Sequence, residues 1–394
     1  MNSAAEFDII VYGASGFTGR LIAEYLAGQY GVGKTVKWAM AGRDAAKLTA
    51  VRDEIGAPAD TPLVVADAAD PASLRAMVSR AKAIVTTVGP YQLYGSDLVA
   101  ACAAAGTDYL DLCGEPAWMR QMIDAHDAEA KTTGARIVFS CGFDSIPFDL
   151  GVLFLEQEAR AKLGGPVARV KARMRKMQGG FSGGTAASLK ATMAAAAKDP
   201  KIVALLMNPF ALTPGFQGPP QPPGMTPELD ADVGVWTAPF VMAAINTRNV
   251  HRSNALQGHP YGTDFVYDEM IMTGPGEQGE AIAKAIAAAG SGLGGEGGPK
   301  PGEGPSKAER DSGFFDILFV GVAPDGRQVR AAVTGDKDPG YGCTSKMIAE
   351  AAICLIGEAA ATPGGVWTPG AAMGQKLIDR LVANAGMTFE AEAV

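Results

Sequence analysis

Short apolar runs alternate with helically spaced apolar residues along the first 150 residues. The runs are rich in β-branched residues and predict buried strands at 7–12, 36–42, 63–66, 83–88, 109–112 and 136–141. Between them, apolar residues recur three and four positions apart, as they do in amphipathic helices. Six strands that alternate with helices predict an α/β fold with a Rossmann-type doubly wound parallel sheet.

The pattern changes after residue 151. Residues 167–177 alternate basic and apolar side chains, which predicts a half-exposed antiparallel strand with solvated charges. Further strands are predicted at 240–245, 265–272, 314–322 and 328–335, and helices at 344–358 and 371–384. The Pro- and Gly-rich stretch 208–227 is interpreted as a lid over an apolar substrate, because loops of this length are usually functional or disordered. By composition, residues 290–305 are expected to be a flexible loop.

The composition limits the classes of function. The chain has 394 residues, 47% of them hydrophobic, which suffices for two domains with real cores. A net charge of −8 argues against a nucleic-acid partner. No run approaches the ~20 apolar residues of a membrane span, and the N-terminus lacks the pattern of a secretory signal. Five scattered cysteines predict reduced thiols in a cytoplasmic protein, and no metal-ligand spacing is seen, so no metal is expected.

A glycine turn follows the first strand. Its glycines have the spacing G-x-x-G-x-x-G, and a helix is predicted to start near Phe17. Glycines let the backbone approach a pyrophosphate, and the helix N-terminus offers it unpaired N–H groups. The spacing departs from G-x-G-x-x-G, but the strand–turn–helix context supports a dinucleotide site. The residues predicted to bind the cofactor here are Gly13, Ser15, Gly16, Phe17, Thr18 and Gly19.

The end of the second strand predicts the type of cofactor. Arg43 follows this strand directly, where folds that bind NADP place an arginine for the 2′-phosphate. An acid there would indicate NAD, and Asp44 is the competing acid, although it also fits the N-cap of the next helix. We therefore predict NADP(H) rather than NAD(H). Asp67, after the third strand, either reaches the adenine edge or caps the next turn.

Two further strand ends predict the nicotinamide side of the site. Gly89 and Pro90 break the chain after the fourth strand, and Cys141, Gly142 and Phe143 lie at the end of the sixth. Ligands of such folds bind in the crevice at the carboxyl ends of the strands. These five residues complete the predicted cofactor site.

Several motifs resemble those of a known family. Four are similar to motifs of the saccharopine dehydrogenase-like oxidoreductases: YGASGFTGR at 12–20, VGPYQLYG at 88–95, DYLDLCGE at 108–115 and CGFDSIPFDLG at 141–151. Two C-terminal motifs resemble the branch of the trans-acting enoyl reductases, which work beside polyketide synthases: DPGYG at 338–342 and GGVWTPGAAMGQKLIDRL at 364–381. The resemblance covers most of the chain and is thin between residues 164 and 335.

The resemblance implies a domain organisation and a reaction. A dinucleotide-binding domain at 1–150 would be followed by an inserted substrate or dimerisation domain at 151–337, an α+β domain with a mixed or antiparallel sheet. Residues 338–394 would return to the first domain. NAD(P)H would donate a hydride to an acyl substrate of lipid or polyketide type. A thioester substrate on a carrier protein and a homodimer are both compatible with this family.

Reduction of an enoyl thioester would also need a proton donor. Tyr91 and Tyr94, past the fourth strand, could donate a proton or a hydrogen bond, or could simply pack over the crevice. Asp144, past the sixth strand, is either an acid of the site or the cap of the helix that follows Pro147. Tyr91, Tyr94 and Asp144 are the predicted catalytic residues.

Three functions are consistent with the sequence. The first is the NADPH-dependent reduction of a C=C bond in an acyl chain. The second is a saccharopine-type C=N reduction, whose substrates carry several carboxylates that Arg173, Arg175 and Lys176 could bind. The third is a cofactor-binding scaffold without catalysis, which the intact glycine turn disfavours.

Overall fold

A computed structural model describes residues 5–180, 183–290 and 302–394, so the predicted loop at 290–305 lies largely outside the described residues. The first 163 residues alternate strands and helices. The strands are β1 (Phe7–Tyr12), β2 (Trp38–Gly42), β3 (Leu63–Val65), β4 (Ala81–Thr86), β5 (Asp108–Leu110) and β6 (Arg136–Val138). The helices are α1 (Phe17–Tyr30), α2 (Ala45–Glu54), α3 (Pro71–Val78), α4 (Tyr91–Tyr94), α5 (Ser96–Ala105), α6 (Pro116–Thr133) and α7 (Ile146–Leu163).

These six strands pair in parallel in the order β6-β5-β4-β1-β2-β3. The order reverses between β1 and β4, which makes this pair the switch point of a doubly wound sheet. Ile9, Ile10 and Val11 of β1 have no exposed surface, because helices cover both faces of the sheet. The predicted Rossmann-type fold is confirmed.

Local sequence determines where several helices begin. The carboxylate of Asp44 accepts a hydrogen bond from the Lys47 backbone N–H at 3.1 Å and caps α2. Asp70 caps α3 in the same way, and Pro71 occupies the first helical position. Both carboxylates satisfy N–H groups that intrahelical bonds leave free.

Residues 164–335 contribute a second sheet. Its strands are β7 (Arg169–Gln178), β8 (Glu228–Asp230), β9 (Val235–Pro239), β10 (Val266–Gly274), β11 (Phe314–Val322) and β12 (Gln328–Gly335). The helices of this region are α8 (Gly183–Ala196), α9 (Pro200–Met207), α10 (Ala243–Leu256), α11 (Gly276–Ala289) and α12 (Lys307–Ser312). Strand β7 pairs in parallel with β10 and antiparallel with β11, so the sheet is mixed, as predicted.

The remaining segment contributes to both sheets. It contains a π-helical turn (Pro339–Cys343), α13 (Thr344–Ile356), β13 (Gly365–Trp367), α14 (Pro369–Met373), α15 (Gln375–Asn384) and β14 (Met387–Glu392). Strand β13 extends the first sheet beyond β6, whereas β14 extends the second beyond β12. The predicted return of 338–394 to the first domain therefore does not hold for β14, because its Met387 and Phe389 pair with β12.

Helix α7 joins the two sheets. It packs on β11 and β12, and a Cβ atom at its Gly151 would lie 2.3 Å from Cζ of Phe319. Only glycine allows this approach. The aromatic rings of Phe143, Phe148 and Phe315 pack beside this contact and make one continuous core between the sheets.

Residues 240–245 are not the predicted strand. Strand β9 ends at Pro239, and α10 begins at Ala243. The run FVMAAI is continuously apolar, and a short run of this kind does not distinguish a strand from a buried helix. The helix that replaces the predicted strand buries seven polar or charged side chains: Asn246, Arg248, Asn249, His251, Arg252, Ser253 and Asn254.

The sequence predicted that the charges of β7 would be solvated, but one of them is not. Arg173 is fully buried, and its guanidinium binds the carboxylates of Asp230 and Asp268 at 2.7 and 2.8 Å. Because β7 lies in the middle of the sheet, this positive charge needs counter-ions within the protein.

A buried ion pair links the C-terminal segment to the first sheet. Arg136 on β6 binds Asp108 on β5, with 2.9 Å between Nε and Oδ1. The Nη1 atom of Arg136 donates to the backbone carbonyls of Leu355 and Ala359 at 2.8 and 3.1 Å. Since both charges are removed from water, the loss of one partner leaves the other unpaired.

Replacing Arg136 with Leu is expected to lower the free energy of unfolding by about 3–5 kcal/mol, because Asp108 loses its counter-ion. Urea unfolding followed by circular dichroism measures this loss. Arg327→Leu is the control, since Arg327 pairs with Asp325 at the exposed surface, where a pair contributes about 0–1 kcal/mol. Equal losses in both variants would contradict a stabilising role for the buried pair.

Candidate active site

A cavity of about 480 Å³ lies at the carboxyl ends of β1, β4, β5 and β6. All three parts of the chain line it. Thr18 comes from the first turn of α1, and Thr87 and Phe143 come from loops of the first sheet. Helices α8 and α10 of the second region and Tyr341 of the π-helical turn complete the wall. Crevices at the switch point of such sheets are where ligands bind.

The glycine turn beside this cavity leaves no room for side chains. Gly13 has a φ of +90°, and a Cβ atom on it would lie 2.6 Å from Oγ1 of Thr87. A Cβ atom on Gly19 would lie 2.1 Å from the carbonyl oxygen of Gly13. The turn therefore folds tightly back on itself and brings the N-terminus of α1 close to the strand ends.

The N-terminus of α1 fits the pyrophosphate of a dinucleotide. Gly16 is the N-cap, is exposed, and provides no side-chain hydrogen bond to the first turn. The N–H groups of that turn consequently remain available to an anion, and the helix dipole favours negative charge there. Thr18 follows in the first turn and lines the cavity. The ring of Phe17 instead packs edge-on against Tyr341 at a centroid distance of 5.1 Å.

The adenosine side of the predicted site lies at the ends of β2 and β3. Ser15 places its Oγ 3.5 Å from where a Cβ atom of Gly42 would be. Arg43 is exposed immediately after β2. Because Asp44 caps α2, Arg43 is the charged group left for a ribose phosphate. Asp67 accepts a hydrogen bond from the Ala69 N–H at 2.9 Å, which is the turn-capping role predicted as its alternative.

The loops after β4 and β6 form the inner wall. Gly89, Gly142 and Phe143 line the cavity, and the Phe143 N–H donates to Oγ1 of Thr344 at 2.9 Å. Pro90 precedes α4 as its N-cap, beside the cavity rather than in its wall. Cys141 is also behind the wall, and burial raises the pKa of its thiol well above the usual range. Such a thiol is inert.

One buried carboxyl group holds these loops together. Asp111 follows β5, and its Oδ1 accepts hydrogen bonds from the N–H groups of Cys113 and Ser140 at 3.0 and 2.9 Å. The Asp111 carbonyl accepts from the Cys141 N–H at 2.7 Å. These bonds join the loop after β5 to the loop after β6, so they determine where the chain enters the cavity wall.

The two tyrosines predicted as proton donors are placed unfavourably for that role. The Tyr91 hydroxyl is buried, donates to the Thr86 carbonyl at 3.2 Å and accepts from the Leu112 N–H at 3.1 Å. Both of its hydrogen-bonding directions are thus occupied by backbone. Tyr94 is 49% exposed and is not part of the cavity wall. Although Tyr91 lines the cavity, these surroundings do not favour either hydroxyl as the proton donor, because aromatic spacing after a strand does not reveal where a hydroxyl points.

Asp144 is the predicted acid that the structure places in the cavity wall. Its Oδ1 is buried and has no hydrogen-bond partner among the described residues. Burial raises the pKa of this carboxyl to about 7. The alternative role as a helix cap is absent, since Ser145 is the N-cap of α7. A carboxyl with this pKa can hold a proton at neutral pH and give it to a ligand.

Other residues of the wall were missed in the sequence. Glu115, which is 2% exposed, accepts hydrogen bonds from the N–H groups of Tyr91 and Gln92, both at 2.9 Å, and so occupies the N-terminus of α4. Arg248 of α10 also lines the cavity. Glu115 ends the DYLDLCGE motif, which is a signal in the sequence, whereas the misassigned strand at 240–245 concealed Arg248.

The predicted lid at 208–227 does not cover this cavity. Its Phe210 ring packs on His251 at 4.6 Å, and the Leu212 carbonyl accepts from Nη1 of Arg252 at 2.6 Å. Helix α8 forms the outer wall instead, joined to α4 by a 3.1 Å hydrogen bond from Gln92 to Thr192. The loop is rich in Pro and Gly but contains apolar residues that α10 buries. In the described ranges, no group of three or more His, Cys, Asp or Glu side chains is placed to hold a metal ion.

Comparisons with known proteins agree with this geometry. Residues 9–138 match the family described as the saccharopine dehydrogenase NADP binding domain. A Mycobacterium tuberculosis protein provisionally named a trans-acting enoyl reductase is 41% identical over 98% of this chain and 97% of its own length. This chain belongs to the trans-acting enoyl reductase family. The trans-acting enoyl reductase of Mycobacterium ulcerans is 40% identical over 97% of both chains.

Solved structures share the fold of this trans-acting enoyl reductase family member. Apo saccharopine dehydrogenase (L-Glu forming) from Saccharomyces cerevisiae superimposes with a TM-score of 0.57 and 12% identity, over 98% of this chain and 100% of that one. The homospermidine synthase of Legionella pneumophila gives 0.53 and 9% identity, over 99% and 92%. These comparisons confirm the predicted family, the Rossmann-type fold and NADP(H) as the cofactor of a reductase.

Replacing Gly16 with Val is expected to weaken NADPH binding at least tenfold, because a branched side chain would stand where the pyrophosphate approaches the α1 N-terminus. Fluorescence titration with NADPH measures the dissociation constant. Gly28→Val is the control, since Gly28 is exposed on the same helix and a Cβ there meets nothing within 4 Å. Unchanged affinity in a folded Gly16→Val variant would contradict this placement.

Replacing Arg43 with Ala is expected to weaken binding of NADPH about 10- to 100-fold and that of NADH little. A charge-assisted hydrogen bond to the 2′-phosphate contributes roughly 1.5–3 kcal/mol, and NADH lacks that phosphate. Titration with both cofactors checks this, with Lys47→Ala, an exposed cation on α2, as the control. Equal losses for both cofactors would make Arg43 structural.

Proposed function

We propose that this chain reduces the C=C bond of an enoyl thioester with NADPH, in the way that the names of its relatives describe. The observation that carries the proposal is Asp144, a protonatable carboxyl in the wall of the cavity that the glycine turn adjoins. An enoyl reduction needs a hydride, a proton and an apolar site for the acyl chain, and the cavity has features for all three.

The outer part of the cavity is suited to an acyl chain. Its wall in this part is formed by apolar side chains of β7, α8, α9 and the segment before α10: Met177, Leu189, Met193, Leu206 and Phe240. Burying methylene groups against such a wall contributes about 0.8 kcal/mol each. Chain length should therefore affect affinity more than it affects the chemical step.

Different residues of the chain perform different parts of the proposed reaction. NADPH, when bound, supplies the hydride that adds to the β-carbon of the substrate. The glycine turn and Arg43 hold the cofactor, and Asp144 holds a proton at a carboxyl oxygen. Addition of the hydride leaves an enolate, and its α-carbon takes the proton from Asp144, whose carboxylate is then reprotonated from solvent. Helix α8 forms part of the cavity wall and so limits the access of bulk water to the bound substrate.

The saccharopine-type alternative loses its predicted carboxylate ligands. The charge of Arg173 is neutralised by two protein carboxylates, and Arg175 binds Asp316 and Glu392 at 2.7 Å each. Lys176 lies outside the cavity wall. Arginines that already neutralise the protein's own carboxylates are not available to a substrate.

The proposal also includes the compartment, the metabolic context and the partners of the reaction. The buried, unpaired cysteines support a reducing compartment, the cytoplasm. No helix in the described ranges has the length and apolar character needed to cross a bilayer. Lipid or polyketide metabolism, a substrate carried as a thioester by a carrier protein, and a homodimer are the corresponding predictions.

NADPH oxidation should depend on an enoyl thioester and on Asp144. Wild-type protein is expected to consume NADPH with crotonyl-type and longer 2-enoyl thioesters and not with saccharopine. Asp144→Asn should lower kcat about 10²–10⁴-fold, the usual contribution of a general acid, and leave NADPH affinity unchanged. Because the acid must be protonated, the wild-type rate should be full below pH 7 and fall as the pH rises through about 7.

Tyr94→Phe is the control for this experiment, since it removes an exposed hydroxyl outside the cavity wall and should retain the wild-type rate. Turnover of thioesters that survives in Asp144→Asn would exclude Asp144 as the acid. Absence of NADPH oxidation with every 2-enoyl thioester would contradict the proposed reaction itself.

A further inference from the structure

The cavity wall contains a positive charge without a counter-ion. Arg248 is 7% exposed, and its terminal nitrogens donate to the backbone carbonyls of Ala244 and Leu206. Its Nε has no partner, and no carboxylate of the described chain lies within 4.0 Å of its guanidinium. The side chain is thus held in place by neutral groups and lacks an anion.

This charge persists at neutral pH. Burial lowers the pKa of Arg248 to about 10, which leaves the guanidinium protonated at pH 7. Taking such an ion out of water costs several kcal/mol unless an anion compensates it, and two carbonyl dipoles compensate only in part. An anionic ligand in the cavity would complete the site.

That anion is not supplied by Asp144, Glu115 or Glu269, which line the cavity or contact α10. Asn249, the next residue on α10, donates to Oγ of Ser145 at 2.8 Å, which places α10 beside the loop that carries Asp144. Burial raises the pKa of Asp144 to about 7 and that of Glu269 to about 8. Glu115 is engaged with the backbone of α4.

Arg252, one helical turn further along α10, shows what a purely structural arginine looks like here. It is 4% exposed and donates to the carbonyls of Leu212 and Val366 at 2.6 Å each. It joins the 208–227 loop to β13 and is not part of the cavity wall. Unlike Arg252, Arg248 lines the cavity. Comparing variants of the two arginines therefore distinguishes a ligand-binding role from a packing role.

We propose that Arg248 binds an oxygen anion of the ligand that occupies the cavity. This rests on the proposed function for the identity of that ligand. Two sources would present an anionic oxygen to Arg248: the enolate oxygen that forms when a hydride adds to an enoyl thioester, or a carboxylate or phosphate already present on the acyl compound. In both cases an apolar chain lies against α8 and α9, and the charged oxygen is directed towards α10.

The first test is binding and does not depend on turnover. Dodecanoate and dodecanol, which share a chain and differ in charge, are titrated into the NADP⁺ complex by calorimetry. Wild-type protein and Arg252→Met are expected to prefer the carboxylate about 10- to 100-fold, and Arg248→Met to lose the preference. Arg248→Lys, which keeps the charge, should retain part of it and serves if Arg248→Met does not fold. NADPH affinity should be equal in all variants.

The second test separates the two sources. If the anion is the enolate, Arg248→Met lowers kcat for 2-enoyl thioesters and leaves KM unchanged, because the charge exists only during the reaction. If the anion is instead a permanent group of the ligand, kcat for 2-enoyl thioesters is unchanged in Arg248→Met and only the affinity for dodecanoate falls. Wild-type affinities and kcat in Arg248→Met would overturn the proposal. A charge preference without turnover of any thioester would retain this site and reject the proposed reaction.

Discussion

The geometry of the site depends on the hydrogen bonds that the buried carboxyl group of Asp111 accepts. They bring the chain after β5 and the chain after β6 to within bonding distance of each other. The position of Asp144 follows from them, because only two residues separate it from Cys141. A buried carboxyl that binds backbone on two loops is a rigid support, and a reactive group three residues away inherits that rigidity.

Buried positive charge is compensated in two different ways in this molecule. In β7, Arg173 is neutralised by Asp230 and Asp268, so its charge is compensated within the core of the protein. In α10, Arg248 and Arg252 are held by backbone carbonyls alone. The first arrangement stabilises a fold, whereas at Arg248, which lines the cavity, the second leaves a positive charge that would attract a bound anion.

The glycine turn of the proposed cofactor site could be predicted from the sequence, because the residues that would bind the cofactor are close together in the chain and have a recognisable spacing. Gly13 and Gly19 stand where a Cβ atom would collide with backbone or a neighbouring strand, so their spacing is itself the signal. The position of Arg248 in the cavity wall arises from the packing of α10 against α9, and a short apolar run in the sequence does not predict that packing. Tyr94 shows the opposite case. Its position just after a strand suggests a residue of the site, but its side chain is exposed at the surface.

Residues 365–392 supply an outer strand to each sheet, β13 to one and β14 to the other. Without those residues, the edges of β6 and β12 would present unpaired N–H and C=O groups. Neither sheet is therefore complete without this segment, however early its other strands assemble. Exposed strand edges can pair with other chains, so until this segment has docked the folding protein carries two surfaces that are prone to association.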